Sequence, residues 1–449
     1  MSSNTDLIEN SACKRILFLN HRLDTIGGIE TRWMDEFRYL NKHNYQVYLF
    51  VPLKRCNQDI ATLYTLQSLI TTNVTKLDIA TEFIKLVNEV INAIRINRID
   101  VISIHMLDMF SCAAVMAAQI CRTPVISTIH GTPDIYRKPI HRLFCQQLID
   151  KSLSLSISVS QHLKSIYQTQ APHNVIIPNL INLEGHKFQH IDTKPAWLII
   201  NRISSEKYPS ILRFLQAADA SSIFTVDIVG GGKQDKLRKL ISKLNINLEV
   251  NFLGEVQSME SLIPKYSGIA GMGRAVIEGL AFQKPVCVMS PEGDLIGLVT
   301  KDNFEALKNY NFIGKTLAPI DNPTFSNQLN THTVKDSQHI YHQLQSTLST
   351  EKWDEYIALY QQVKFIDNPA LEALYHKLAY FSVTLSSPFI NDKFFQDLFY
   401  ETLIEHDLND IETLWLFYEK NHGLNSRYPN PLKAHTRFKK KWQSILKIF

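Results

Sequence analysis

The chain is 449 residues long, 45% hydrophobic and 20% charged, a globular composition that excludes an intrinsically disordered protein. A net charge of +4, without any array of basic and aromatic residues, argues against nucleic acid as a partner. The six cysteines contain no C-x-x-C pair and sit mostly in apolar segments, which points to buried reduced thiols in a cytoplasmic protein and to no metal framework.

The N-terminus is polar and shows no signal region. Residues 14–20 form a short apolar run opened by Lys14 and Arg15, and read as a buried first strand. The next loop ends in Gly27-Gly28, and Ile29, Trp33, Phe37 and Leu40 then fall on one face of a helix. A dinucleotide-binding domain would place G-x-G-x-x-G after this strand; its absence counts against a dehydrogenase. The glycine pair either serves the helix-start turn alone or lets a ligand approach the backbone.

Strands are expected at 45–52, 100–104, 124–129 and 155–160, with helices at 81–97, 109–121 and from Gln161. The 109–121 run falls short of the ~20 residues a bilayer-spanning helix needs. Such alternation predicts a parallel sheet with both faces covered, and ligands lie at the carboxyl ends of its strands. His105 and His130 both occupy that position. A histidine there is more often a structural hydrogen-bonder than a catalyst, and for His105 that plainer reading outweighs the functional one.

The polar run 182–194, closed by Pro195, marks a domain boundary, and the alternation then restarts. Residues 197–200 are a strand, followed by a loop bearing Arg202 and Lys207. Strand 224–229 ends in Gly230-Gly231-Gly232, which either let a nucleotide pass close or only permit the turn. A lysine-rich helix at 234–244, a strand at 250–254 and a short amphipathic helix at 258–266 come next. Residues 267–270 lead through Gly271-Met-Gly273 into a helix carrying Arg274 and Glu278, with Val276, Ile277 and Leu280 inward. A glycine turn at a helix start offers free N–H groups to an anion. Arg274 and Glu278 also have the spacing of an ordinary i,i+4 ion pair. Residues 285–289 are a further strand, and 293–300 a loop with an apolar turn.

The pattern G-x-G-R-x-x-x-E-x-x-A-x-x-x-P-V over 271–286 resembles the donor-sugar motif of family-4 retaining glycosyltransferases of the GT-B fold. That resemblance implies two Rossmann-like domains facing a cleft, with a nucleotide sugar between them. It assigns Glu278 to the second glutamate of an E-x7-E pair, the one that holds the nucleotide ribose, and sets the glycine backbone and Arg274 toward a diphosphate. The first glutamate falls on Ala270, so contacts to the donor hexose depart from the family pattern.

Other segments align in order. Gly27 and Gly28 match the glycine loop that approaches donor phosphates and acceptor, and I-H-G at 129–131 matches the histidine loop facing the transferred sugar. Arg202 and Lys207 match the Arg-x4-Lys pair that binds the diphosphate, where fixed cations stabilise charge gained by the leaving phosphate. Gly254 lies in the segment that passes beneath the base. Residues 311–315, ending in Lys315, are similar to a stretch of some surface-polysaccharide transferases. The resemblance spans about Lys14 to Pro319 and favours UDP as the nucleotide and a glycan or lipid-linked acceptor.

From about Thr324 glycine nearly vanishes and helical patterns dominate, at 351–363, 371–383, 393–406 and 410–421. The tail at 437–449 is basic and apolar, and either packs as a closing helix or lies on an anionic membrane surface. The expected organisation is thus an α/β protein of three parts: 1–185 on the acceptor side, 186–323 binding the nucleotide sugar, and a helical extension, 324–449. The expected activity is retaining, metal-independent hexosyl transfer with no cofactor. A nucleotide-sugar 2-epimerase on the same architecture and a non-catalytic helical interaction protein are the alternatives.

Overall fold

The apolar runs that open each half of the chain become central strands of two separate sheets in a computed structural model. The structure describes residues 14–74, 80–105, 107–131, 145–167, 169, 171–184, 186, 196–256, 258–315 and 317–384. The first sheet contains β1 (Arg15–Leu19), β2 (Gln46–Pro52), β3 (Ser68–Thr72), β4 (Val101–Ile104), β5 (Val125–Ile129), β6 (Leu155–Ser158) and β7 (Asn174–Ile176). All pair in parallel in the order β3-β2-β1-β4-β5-β6-β7. Strands covered on both faces must be apolar on both, so β1, β2, β4 and β5 read as nearly unbroken hydrophobic stretches. Helices Ala80–Asn97 and Met109–Cys121 cover one face, and Gly28–Lys42 packs Trp33, Phe37 and Leu40 on the other.

The chain then crosses between lobes through Ile177–Ile181. Ile181 bridges Ser349: Ile181 N–H donates to Leu348 O at 2.8 Å, and Thr350 N–H to Ile181 O at 3.0 Å. The outgoing and returning crossings therefore run side by side. The second sheet contains β8 (Ala196–Ile200), β9 (Thr225–Val229), β10 (Glu249–Gly254), β11 (Gly268–Gly271), β12 (Val286–Met289) and β13 (Leu295–Leu298). Its order is β10-β9-β8-β11-β12-β13, parallel except for β13. In each sheet the strand order reverses once, between β1 and β4 and between β8 and β11, and open α/β sheets bind ligands at such points.

Helix Asn322–Thr331 buries Phe325, and helix Val334–Leu348 buries Ile340, Leu344 and Leu348, all in the second lobe's core. The change of composition near residue 324 therefore does not coincide with a change of lobe. The return to the first lobe comes at the second crossing. Helix Trp353–Gln362 then buries Trp353 and Tyr360 beside Gly28–Lys42, and helix Pro369–Thr384 lays Leu371, Leu374 and Leu378 on the opposite face. The helices expected at 393–406 and 410–421 and the basic tail at 437–449 lie outside the described residues. No described helix is long and apolar enough to cross a membrane.

Two expectations differ. Residues 293–300 contain a strand, β13, and not only a loop. Residues 258–266 form turns and a single 3-10 turn at Ile263–Lys265, because Pro264 cannot donate into an α-helical ladder.

Candidate functional site

The cation loop leaves β8 at Ile200 and enters helix Tyr208–Asp219, whose first turn carries Pro209. Its shape depends on Gly230 and Gly232, with φ of +142° and +129°. A Cβ at either would sit 2.1 Å from a carbonyl oxygen, of Asn201 or Ile203 respectively. Those glycines press two backbones together, and Ile203 N–H donates to Gly231 O at 2.8 Å. They build the shelf under Arg202 and Lys207.

From that shelf the Lys207 ammonium reaches the Met272 sulfur, 3.0 Å away, in the Gly271–Gly273 turn after β11. Burial lowers the half-buried Lys207 from its ordinary pKa, opposed by Glu206 and helped by Arg202; Glu292 opposes further and Lys315 adds to the lowering. Arg202 is exposed and pairs with Glu206 at 3.5 Å, and Lys315 pairs with Glu292 at 3.1 Å. Three cations thus share one neighbourhood at the carboxyl ends of β8 and β11. Gly273 has φ +62°, and its N–H donates to Phe312 O at 2.9 Å, so segment 310–315 buttresses the turn.

Arg274 behaves differently from the expectation. Its guanidinium points at the first lobe and the crossing segment, not at a diphosphate beside Lys207. Nη2 contacts Asp35 Oδ2 at 2.5 Å, Nη1 donates to Leu180 O, and Nε lies 3.3 Å from Glu278 Oε1. The physical reason is burial. Arg274 is 8% exposed, and a guanidinium at the positive end of a helix needs carboxylates within reach. Burial raises the Glu278 pKa while Arg274 pulls it down. The i,i+4 pair and the site reading therefore share the same two side chains.

The first lobe's glycine loop meets this assembly. A Cβ on Gly28 would lie 3.5 Å from Arg274 Cβ. Gly27 N–H donates to Glu30 Oε2 at 3.0 Å, and Ile26 N–H donates to Glu255 Oε1 at 3.2 Å, beside Gly254. Gly254 has φ +74° and open space where a Cβ would stand. Tyr310 stacks on His162 and Asn179 donates to Asn311 Oδ1 at 2.9 Å, so segment 310–315 also spans the lobes.

His105 and His130 end neighbouring strands, β4 and β5. Their rings stack at 5.3 Å between centroids, and His105 Nδ1 lies 3.0 Å from His130 Nε2. Burial drives both imidazoles well below their ordinary pKa; the Arg32 charge adds to the effect on each, and His105 also feels His130. Burial thus favours the uncharged form of both rings. Sequence reasoning singled out the histidines, glycines and cations but missed Asp35, whose only signal is its contact with Arg274, 239 residues away. Among the described residues no group of three or more His, Cys, Asp or Glu is placed to hold a metal ion.

Two facing Rossmann-like lobes with a site between their strand ends define the GT-B fold. Residues 26–184 match the model of Glycosyltransferase Family 4. The fold is similar to that of a glycosyltransferase from Rickettsia africae, at TM-score 0.58 and 15% identity, covering 78% of this chain and 98% of that one. It is also similar to a putative UDP-N-acetylglucosamine 2-epimerase from Listeria monocytogenes, at 0.52 and 10%, covering 80% and 99%. A lipopolysaccharide outer core galactosyltransferase in its apo form gives 0.50 and 13%, covering 83% and 100%. No curated protein matches the sequence. The molecule therefore has the GT-B fold, and the match to Glycosyltransferase Family 4 lies in its first lobe.

Proposed function

We propose that the protein transfers a hexose from a nucleoside-diphosphate sugar, with UDP the favoured nucleotide, to a hydroxyl of a glycan or lipid-linked acceptor, with retention of configuration. The observation that carries this reading is the meeting of Lys207 with the Gly271–Gly273 turn, where both cation loop and glycine turn leave the strand-order reversal of the second sheet. There Arg202 and Lys207 would face the diphosphate without a metal ion, and the charge developing on the departing phosphate is what they would stabilise. Glu278 would accept from the ribose diol, Gly254 would let the base lie against bare backbone, and Gly27, Gly28 and Gly273 would admit the phosphates.

The bond from the sugar C1 to the phosphate oxygen breaks, a bond from C1 to the acceptor oxygen forms on the same face, and the acceptor proton passes to the leaving phosphate. His130, neutral, would meet a sugar hydroxyl. Ala270 leaves one donor contact of the family pattern unfilled. The protein would work in the cytoplasm, and its basic tail would touch the membrane face where a lipid-linked acceptor is presented.

Thermal stabilisation by UDP, GDP and ADP tests the nucleotide, because a ligand that binds only the native state raises the unfolding temperature. No stabilisation by any of the three would remove the site. The similarity of fold to the Listeria protein keeps a 2-epimerase as the second reading. Incubation with a nucleotide sugar alone separates the two, since an epimerase releases an altered sugar without an acceptor. The anomeric configuration of a transferred sugar, read by NMR, decides retention.

A further inference from the structure

A guanidinium carries five N–H donors and no acceptor, and the edge formed by Nε and Nη2 is one that a single carboxylate can take as a bidentate pair. Arg274 and Glu278 stand four residues apart on helix Arg274–Ala281, a spacing that lets such a pair form. It has not formed here. Arg274 Nε lies 3.3 Å from Glu278 Oε1, long for a charge-assisted contact, while Nη2 lies 2.5 Å from Asp35 Oδ2 and Nη1 donates to the Leu180 carbonyl. Among the described residues, Glu278 Oε2 has no hydrogen-bond partner. One edge of the guanidinium is thus divided between two carboxylates, and the shorter contact goes to Asp35.

Asp35 belongs to helix Gly28–Lys42 of the first lobe, whereas Glu278 belongs to the second. The side chains of Arg274, Asp35 and Glu278 are 8%, 10% and 13% exposed. Little water is at hand to replace a lost partner, so a buried guanidinium deprived of one carboxylate turns to another within reach. With Asp35 removed, the carboxylate left to Nη2 within the i,i+4 pair is Glu278 itself. The pair would then close into its bidentate form, and both oxygens of Glu278 would be occupied.

We infer that Asp35 is a positioning residue of the nucleotide site: by holding Arg274 Nη2 from the opposite lobe, it keeps Arg274 from closing on Glu278 and leaves a Glu278 oxygen open to a ribose diol. Because the two carboxylates lie on different lobes, the ribose acceptor is ready only while the lobes are in contact. The inference rests on the proposed nucleotide-sugar reading in naming the diol; the division of Arg274 between two carboxylates does not depend on it.

Calorimetry of the full chain with UDP and with 2′,3′-dideoxy-UDP tests it, since the two nucleotides differ only in the diol. The native chain is expected to bind UDP about tenfold to a hundredfold more tightly, the scale of hydrogen bonds to a charged group. In Asp35→Ala the affinity for UDP should fall about tenfold, with that for the dideoxy nucleotide unchanged. A loss shared equally by both nucleotides would mark Asp35 as merely structural and overturn the inference, as would an undiminished preference for UDP. Asp35→Glu keeps a carboxylate for Nη2 and should retain the preference; losing it as fully as Asp35→Ala does would also count against the positioning role. Should Asp35→Ala fail to fold, Asp35→Asn takes its place, with the same pattern expected at smaller size and the same outcomes decisive. A native chain that binds both nucleotides alike would overturn the assignment of the ribose to Glu278, and the inference with it. A crystal structure of the variant separates inference from function. Arg274 should be found on both oxygens of Glu278, and an unmoved Arg274 would refute the inference whatever the nucleotides show. A bidentate pair in a chain whose native form binds neither nucleotide would instead remove the nucleotide reading and leave the hold of Asp35 on Arg274 established.

Discussion

The two faces of the cleft are built on opposite electrostatic plans. On the first lobe, His105, Glu36 and Arg32 are almost fully buried: Arg32 Nε lies 3.4 Å from Glu36 Oε2, and His105 meets Ser103 and His130. On the second lobe, Arg202 and Lys315 stand half in water, paired with exposed surface carboxylates, Glu206 and Glu292. Two acids show the contrast: burial pushes Asp150 of the first lobe up to about 7, while for Glu292 the effect of burial is outweighed and Lys315 helps draw it below its ordinary value. A buried, neutral wall can orient a ligand's hydroxyls at little reorganisation, and an exposed cationic wall can capture an anion from solution. Arg274 joins the two plans, as a buried charge held by carboxylates from both lobes.

Breaking that joint should give the largest effect on stability. Arg274→Leu leaves Asp35 and Glu278 as buried carboxylates without a cation, at a cost of about 3–5 kcal/mol. Urea unfolding measures it. If Arg274 is the link, Asp35→Asn should cost far less in the Arg274→Leu background than in the native chain. Strict additivity of the two substitutions would show that the contact carries no coupling.

On the cationic wall the expected effects fall on turnover instead. Lys207→Ala removes the cation that reaches Met272 of the glycine turn and should lower kcat by about 10²–10³, the scale of a lost transition-state donor, with little change in unfolding temperature. Arg202→Ala, whose partner is an exposed carboxylate, should cost less. Native-like turnover in Lys207→Ala would dissolve the contrast between the walls. So would a loss of folding equal to the loss of rate.

How much of this was legible in the sequence follows from the range of the interactions. Buried parallel strands announce themselves as apolar runs, so most of both sheets could be read directly. β3 escaped because Ser68-Leu-Ile-Thr-Thr72 is a half-polar edge strand. β13 escaped because Gly297, with φ +96°, breaks its pattern and its pairing with β12 shifts register. The cation loop and the glycine turn are local motifs whose residue types report their chemistry. Asp35 and Tyr360 are not: each acts on a partner 239 or 324 residues distant, and neither lies in a motif. Arg274 shows the limit most clearly, since its spacing to Glu278 was visible and its direction was not.

The last effect is a pH dependence of the first lobe, spread over several pH units. Asp150 Oδ1 accepts from Tyr167 at 2.6 Å, while Oδ2 is buried without a partner. Because burial raises its pKa to about 7 from 3.8, the folded chain keeps a proton that the unfolded chain has released between those values. Stability contributed by this group is therefore full below pH 4 and falls as pH rises toward 7, by at most about 4 kcal/mol at about 1.4 kcal/mol per pH unit. Asp150→Asn is neutral throughout and still accepts from Tyr167. It should match the native chain near pH 4, exceed it in stability at pH 8, and flatten the slope between. Equal slopes in the two proteins would mean that Asp150 ionises normally despite its burial.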